Sequence, residues 1–221
     1  MKRQLFITAT DTGVGKTTVS AGLCKVLKEM GVNVGYFKPV ETGVEDVPSD
    51  VKLLTDITGQ PIEEAILYSF KNPLAPYPAS KIENKEIEIG KIIDHYNYLK
   101  SKYDFLVVEG AGGVYVPIVK GYSYVDLIKD LNIPVLLVAR AKLGTINHTL
   151  LTIRALEGCN IVGIVMNGFS GDDISEETNP EVIEEFSGIK VIGRCKKVEN
   201  PVEECYNRLR FIVDFLKDLG N

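Results

Sequence analysis

Histidine is scarce in this chain: His95 and His148 are the only two. Neither has a serine or cysteine partner at the end of a predicted strand, so a nucleophilic triad is excluded. His95 reads as a surface residue, with Tyr96 and Tyr98 as helix packing beside it. Cysteine is sparse too. Cys24, Cys159, Cys195 and Cys205 form no CxxC pair, and none stands beside a histidine at zinc-ligand spacing. They read as reduced, partly buried thiols rather than a metal centre. No apolar run is long enough to span a membrane. The N-terminal apolar stretch stops at Ala9, before polar Thr10 and Asp11, which is short for a signal-peptide core. A cytoplasmic protein is expected. A surplus of basic residues is missing as well. The 25 Lys and Arg stand against 30 Asp and Glu, a formal charge of -5, so neither a nucleic-acid surface nor a basic membrane-binding tail is expected. Internal repeats, low-complexity segments and linkers are absent.

A chain of 221 residues with 45% hydrophobic content can bury a sizeable core, and its length suits one α/β domain over residues 1–221. Short β-type runs alternate with helical ones. Gln4–Ala9 reads as a strand and Lys16–Met30 as a helix, with Val19, Leu23, Val26, Leu27 and Met30 at helical spacing. Gly31 closes that helix. Val34–Lys38 is a second strand and Asp50–Thr58 a short helix. Gly59–Lys85, punctuated by Pro61, Pro73, Pro76 and Pro78, reads as a long loop with short pieces of structure. Its Asn72–Ser80 centre is too rich in proline for a central strand. Helices follow at Glu88–Lys102, Tyr124–Leu131, Thr145–Glu157 and Val182–Phe186. The strands Phe105–Glu109, Val135–Ala139 and Ile161–Asn167 are interleaved with them. An edge-type strand at Val191–Gly193 and an amphipathic helix at Pro201–Leu219 close the pattern. Strands that are apolar throughout are covered on both faces. The expected fold is therefore a P-loop NTPase-like, doubly wound, mostly parallel sheet flanked by helices.

The segment Thr10-Asp11-Thr12-Gly13-Val14-Gly15-Lys16-Thr17 lies between the first strand and the first helix, the setting a phosphate-binding loop requires. Gly13 and Gly15 let the backbone turn and aim N–H groups inward, and the helix N-terminus adds positive potential. Lys16 reaches for the β- and γ-phosphates, and the Thr17 hydroxyl is placed to ligate Mg²⁺. The strict G-x-x-x-x-G-K-[ST] pattern fails at its first position, where Thr10 stands, while the Gly-Lys-Thr half is intact.

Ligands of open parallel sheets sit beyond the carboxyl ends of the strands. Lys38 stands at one such end, with Pro39 and Gly43 shaping a turn around it. It suits phosphate or an anionic substrate group. Glu109 ends an apolar strand, where a carboxylate is costly without a cation, and nucleotide-bound Mg²⁺ would supply one. The glycines after it, Gly110, Gly112 and Gly113, allow close approach to the backbone. Asp50, taken alone, reads as the N-cap of its helix. Gly144–Asn147 opens a helix whose free N–H groups either hold a carboxylate or form an ordinary helix start. Asn167 ends its strand with an amide suited to a purine edge.

Jointly these segments resemble the dethiobiotin synthases. That family carries a T-D-T-x-V-G-K-T loop, a K-P-V-x-[ST]-G turn, an E-G-A-G-G strand end, a K-L-G-[CT]-I-N-H helix start and a later asparagine. Thr10–Thr17, Lys38–Gly43, Glu109–Gly113, Lys142–His148 and Asn167 match them in that order. The resemblance implies a cyclo-ligase that uses ATP as co-substrate and Mg²⁺ as cofactor. It would join CO₂ to 7,8-diaminopelargonic acid through a carbamate and a carbamic-phosphoric anhydride, forming dethiobiotin. It implies that Thr12, Gly13, Val14, Gly15, Lys16, Thr17 and Thr18, with Glu109, Gly110, Ala111, Gly112 and Asn167, hold the nucleotide. Lys16 and Lys38 would stabilise the carbamate and the transferring phosphate. Thr17, Asp50 and Glu109 would hold Mg²⁺, which replaces the capping role for Asp50. Lys38 and Thr42 would contact the substrate, and Gly144, Thr145, Ile146 and Asn147 would bind its carboxylate across the two-fold interface of a homodimer. Two departures leave the choice of base open. Cys195-Lys196-Lys197-Val198 stands where the family often has a Pro-x-Leu segment, and Gly13 stands where some members have an acidic residue.

A regulatory ATPase switch of the partition or septum-positioning type is the alternative. Those proteins share the fold, but their loop carries an extra lysine near its start, where this chain has Asp11. Amidoligase-like enzymes of the cobalamin pathway have a second domain for which this chain is short.

Overall fold

The structure is a computed structural model that describes residues 3–211. In order, β1 (Arg3–Ala9) leads to α1 (Lys16–Glu29), and β2 (Val34–Thr42) to α2 (Ser49–Thr58). Next come α3 (Ile62–Ala65), β3 (Ile66–Phe70), α4 (Pro76–Ile82), α5 (Ile89–Lys102) and β4 (Phe105–Gly113). A small ribbon, β5 (Pro117–Val119) and β6 (Tyr122–Ser123), precedes α6 (Tyr124–Leu131). The chain closes with β7 (Val135–Arg140), α7 (Thr145–Ala155), β8 (Ile161–Phe169), α8 (Ser175–Ser187), β9 (Val191–Lys196) and α9 (Pro201–Leu209).

Seven strands form one sheet in the order β3-β2-β4-β1-β7-β8-β9, and every pairing in it is parallel. The sheet is thus wholly parallel, one step beyond the mostly parallel expectation. Its central strands are apolar on both faces because helices cover both. Leu5, Ile7, Val107 and Val138 pack toward α1 and α9, while Phe6, Leu106, Val108 and Val135 pack toward α5 and α6. Helix α1 lies against α9 so closely that a Cβ on Gly22 would stand 2.7 Å from Cys205 Cβ. Because β1 is flanked by β4 on one side and β7 on the other, the loops after these three strands meet at one rim.

The structure corrects several sequence-based boundaries. Strand β2 runs past Lys38 to Thr42, so Pro39 lies inside a strand and not in a turn. It is tolerated there because β2 pairs with β4 only through Phe37 and with β3 from Lys38 onward, past the last rung with β4. The stretch Gly59–Lys85 is mostly ordered into α3, β3 and α4. Proline misled in both directions: Pro61 caps α3, and Pro76 starts α4 at its first turn. Strand β8 continues two residues past Asn167, to Phe169. Helix α8 begins at Ser175, well before Val182, and carries Pro180 inside it. Pro48, not Asp50, occupies the cap position of α2. His95 is half-buried, with Nε2 2.8 Å from the Glu64 carbonyl and its ring tilted on Phe37. The last predicted helix is described to Leu209, and its expected continuation from residue 212 to Leu219 lies outside the described residues.

Candidate functional site

The loop between β1 and α1 takes the shape its glycines permit. Gly13 and Gly15 have φ of +70° and +107°, in the left-handed region, and Gly15 occupies the cap position of α1. A second constraint acts on Gly15. A Cβ there would stand 2.1 Å from Asn167 Nδ2, so any side chain at this position would displace that amide, in addition to the conformational demand. Asn167 Nδ2 donates to the Val14 carbonyl at 2.9 Å. The residue expected to face the base therefore already clamps the phosphate loop to β8, with its amide oxygen uncommitted to that bond.

Lys16 folds back over the loop. Its Nζ donates to the Gly112 carbonyl at 2.9 Å and to the Asp11 carbonyl at 3.4 Å. Burial pushes this ammonium below the ordinary lysine range; Glu109 pulls it back up, while the positive charge of Lys38 adds to the depression. Thr17 Oγ1 donates to Glu109 Oε1 at 2.8 Å, and Ser20 Oγ donates to Glu109 Oε2 at 2.6 Å. Glu109 itself is fully buried. Lys38 Nζ lies 3.4 Å from Glu109 Oε1 and forms an ion pair with Asp50 Oδ2. Burial alone would lower the Lys38 pKa, but Glu109 and Asp50 outweigh it and hold the ammonium above the ordinary lysine range. Lys16, Thr17, Lys38, Asp50 and Glu109, drawn from α1, β2, α2 and β4, thus converge on one spot at the rim.

The oxygens of this spot suit Mg²⁺. Among the described residues no group of three or more His, Cys, Asp and Glu side chains could hold a metal. Mg²⁺ does not need one, since it binds through one or two carboxylates together with phosphate and water oxygens. The Lys38 ammonium, a cation, already stands between the Glu109 and Asp50 carboxylates, and the Thr17 hydroxyl shares Glu109 Oε1.

Other predicted residues fall around this centre. Gly110, Ala111 and Gly112 continue β4 beside the loop, and Thr18 is half-buried in the first turn of α1. Thr42 ends β2, half-buried. Gly144 caps α7 with φ +89°. The Thr145 N–H is taken by the Lys142 carbonyl at 3.1 Å, and its buried hydroxyl lies 3.4 Å from that of Thr149. The first-turn N–H groups of Ile146 and Asn147 have no partner within the helix. In the segment Cys195–Val198, Cys195 turns into the core beside Cys205, while Lys196, Lys197 and Val198 are exposed.

Three neighbours of the site escaped the sequence reading. Ser20 stands one helical turn after Thr17, a spacing that places both on one face. Arg140 ends β7 and its Nη2 reaches Asp11 Oδ2 and the Thr12 carbonyl, each at 3.3 Å. Glu41 is a buried carboxylate inside β2, and the burial cost that drew attention to Glu109 applied to it equally.

A sequence family described as an AAA domain matches residues 3–203. The ATP-dependent dethiobiotin synthetase BioD of Aquifex aeolicus is 50% identical over 202 residues, covering 90% of this chain and 92% of that protein. The proteins of the same name from Methanococcus vannielii and Bacillus subtilis are 46% and 41% identical, with 86% and 91% of this chain covered, and 91% and 90% of theirs. Among solved structures, the Pyrococcus furiosus cell division ATPase MinD superposes with a TM-score of 0.63 at 16% identity, covering all of both chains. A ParA family ATPase from Chlorobium tepidum superposes with a TM-score of 0.58 at 14% identity, over 98% of this chain and 93% of that one. At such identities these two speak for the fold alone.

Proposed function

This chain belongs to the ATP-dependent dethiobiotin synthetases, and from that premise we propose how its residues divide the work. The activity is ATP-dependent synthesis of dethiobiotin, a cyclo-ligase reaction of biotin biosynthesis. The regulatory-switch alternative rests on fold likeness only. Residues 1–221 act as a single P-loop domain.

The substrates are 7,8-diaminopelargonic acid and CO₂. One amine takes up CO₂ to give a carbamate, a carbamate oxygen displaces ADP from the γ-phosphorus, and the second amine closes the ring as phosphate leaves. Each step gathers negative charge at one point, so positioned cations and N–H donors do most of what is needed. Lys16 moves from the Gly112 carbonyl onto the β- and γ-phosphates. Lys38, kept protonated by its two carboxylates, faces the carbamate and the transferring phosphoryl group. The N–H groups of Thr12–Thr18 cradle the phosphates, Gly110–Gly112 let the substrate approach, and Thr42 contacts it. Mg²⁺, held by Thr17, Asp50 and Glu109, would neutralise charge shared by the phosphates. The observation that carries this reading is the convergence of Lys16, Lys38 and Glu109 on one rim, none of them more than 7% exposed.

We infer a homodimer with a shared site, and exposed apolar groups near α7 support that reading. Tyr115 and Leu151, which line one cleft, are 70% and 61% exposed, and Leu143, just before α7, is 81% exposed; such groups suit burial against a second copy. The N–H groups of Ile146 and Asn147 would hold the substrate carboxylate across that interface. The expected location is the cytoplasm; among the described residues no helix is long and apolar enough to cross a membrane. The test is product formation from the diamine and bicarbonate with Mg²⁺ and ATP. Hydrolysis of ATP indifferent to the diamine would overturn the assignment of substrate.

A further inference from the structure

We propose that Glu41 is a positioning residue for the cation site: it fixes the first turn of α2 and thereby sets Asp50 against Lys38. This rests on the reading of Asp50 as a Mg²⁺ ligand. Helix α2 lacks a side-chain cap of its own, because Pro48 stands at the cap position. Its orphan N–H groups are met from another element. Glu41 Oε1 accepts from Asp50 N at 3.1 Å and from Ser49 Oγ at 3.5 Å, and Oε2 accepts from Val51 N at 3.2 Å. A carboxylate at a helix N-terminus is also favoured by the helix dipole.

The consequence is a double tie between one strand and one helix. Strand β2 carries both Lys38 and Glu41. Lys38 grips the Asp50 side chain and Glu41 grips the Asp50 backbone, so both ends of Asp50 are held from β2. Between the strand and the helix, Glu45, Asp46 and Val47 are exposed. The last internal anchor of that connection is Val44, whose N–H donates to the Phe70 carbonyl at 2.9 Å. Glu41 is 5% exposed, and a carboxylate is buried at a cost that a purely structural turn would not need to bear. The function served is a fixed Asp50 carboxylate, which pairs with the Lys38 ammonium and would also hold Mg²⁺.

The test is a Mg²⁺ titration that follows tightening of a fluorescent ATP analogue, with kcat measured alongside. Wild type, Glu41→Ala, Glu41→Gln and Asp50→Asn are compared. Loss of a residue that orients a ligand costs about 10- to 100-fold in metal affinity or activity, so Glu41→Ala is expected to raise the Mg²⁺ midpoint and lower kcat within that range. Analogue affinity without Mg²⁺ stays at the wild-type value. Glu41→Gln keeps one acceptor oxygen and recovers part of the loss; it carries the same comparison should Glu41→Ala fail to fold. In the Asp50→Asn background, Glu41→Ala adds little. A wild-type Mg²⁺ midpoint and kcat in Glu41→Ala, with Asp50→Asn clearly shifted, overturns the positioning role even if the melting temperature drops. A wild-type midpoint in Asp50→Asn overturns the metal-ligand reading, and the proposal with it.

Discussion

Lys38 Nζ lies 3.4 Å from Glu109 Oε1, with the two side chains 6% and 0% exposed, so an ion pair stands almost dry at the rim of the sheet. Removing one member of such a pair strands the other in a poor solvent. Glu109→Gln and Lys38→Met are each expected to lower kcat by about 10²-fold or more. Because the two residues touch, the double variant is expected to fall short of the product of the singles by a coupling of about 1–3 kcal/mol. Steady-state kinetics on the four proteins measure it, and full additivity would separate the roles of the two side chains.

Lys16→Ala removes the side chain that bridges the phosphate loop to Gly112. Turnover is expected to drop by about 10²- to 10³-fold, the scale of losing one charge-stabilising donor. The fold is expected to persist, since only two hydrogen bonds at the rim, to the Gly112 and Asp11 carbonyls, are lost. Circular dichroism with a melting curve checks the fold, and near-normal activity contradicts the phosphate role.

The pH dependence follows from the same lysine. Burial lowers the Lys16 pKa from the ordinary 10.5 in the free protein. In the proposed role Lys16 serves phosphate only when protonated, so activity is expected to fall on the alkaline side as the proton leaves. kcat/KM reports groups of the free enzyme, and its alkaline limb is expected to have its midpoint below 10.5. The linked stability has the opposite course. The unfolded chain holds this proton more tightly than the folded one, so the charged lysine costs stability at lower pH, and this cost fades as pH rises through the folded pKa. Lys38 is shifted upward, which keeps it out of the working range. An alkaline limb at or above the ordinary lysine value runs against this assignment.

Gly15→Ala combines two penalties. The backbone φ of +107° is unfavourable for alanine, and the new Cβ meets Asn167 Nδ2 at 2.1 Å. A cost of about 1–3 kcal/mol in stability is expected from the conformation alone, together with weaker ATP binding. Asn167→Ala in the same chain is expected to relieve the contact and leave the conformational part. Chemical denaturation of both variants separates the two terms; equal stability of Gly15→Ala and wild type is the contrary result.

Much of the site was legible because its parts are local. Two glycines, a lysine and a threonine within eight residues, set between a strand and a helix, point to a phosphate loop, and apolar runs reaching Glu109, Ala139 or Asn167 mark strands, although each strand continues past that residue, to Gly113, Arg140 and Phe169. The less legible parts depended on partners distant in sequence. Pro39 reads as a turn residue, yet lies in β2 because the strand has by then left β4 for β3. Pro76 reads as loop punctuation, yet it starts a helix, and α8 begins at Ser175 with Pro180 inside it, seven residues before the expected start at Val182. Asp50 reads as a cap because helix starts often carry an acid, while its side chain turns to Lys38 on strand β2.

From the sequence alone come the mostly parallel α/β expectation and the setting of the phosphate loop, which depend on residue order and on the rule that strand ends share one rim, while the cyclo-ligase chemistry comes from the resemblance of the motifs to a known family. The tertiary structure alone decides which polar groups face each other: Glu41 with the start of α2, Ser20 with Glu109, Asn167 with Val14. Hydrogen bonds and ion pairs act over about 3–4 Å, and only folding brings side chains from distant parts of the chain within that reach.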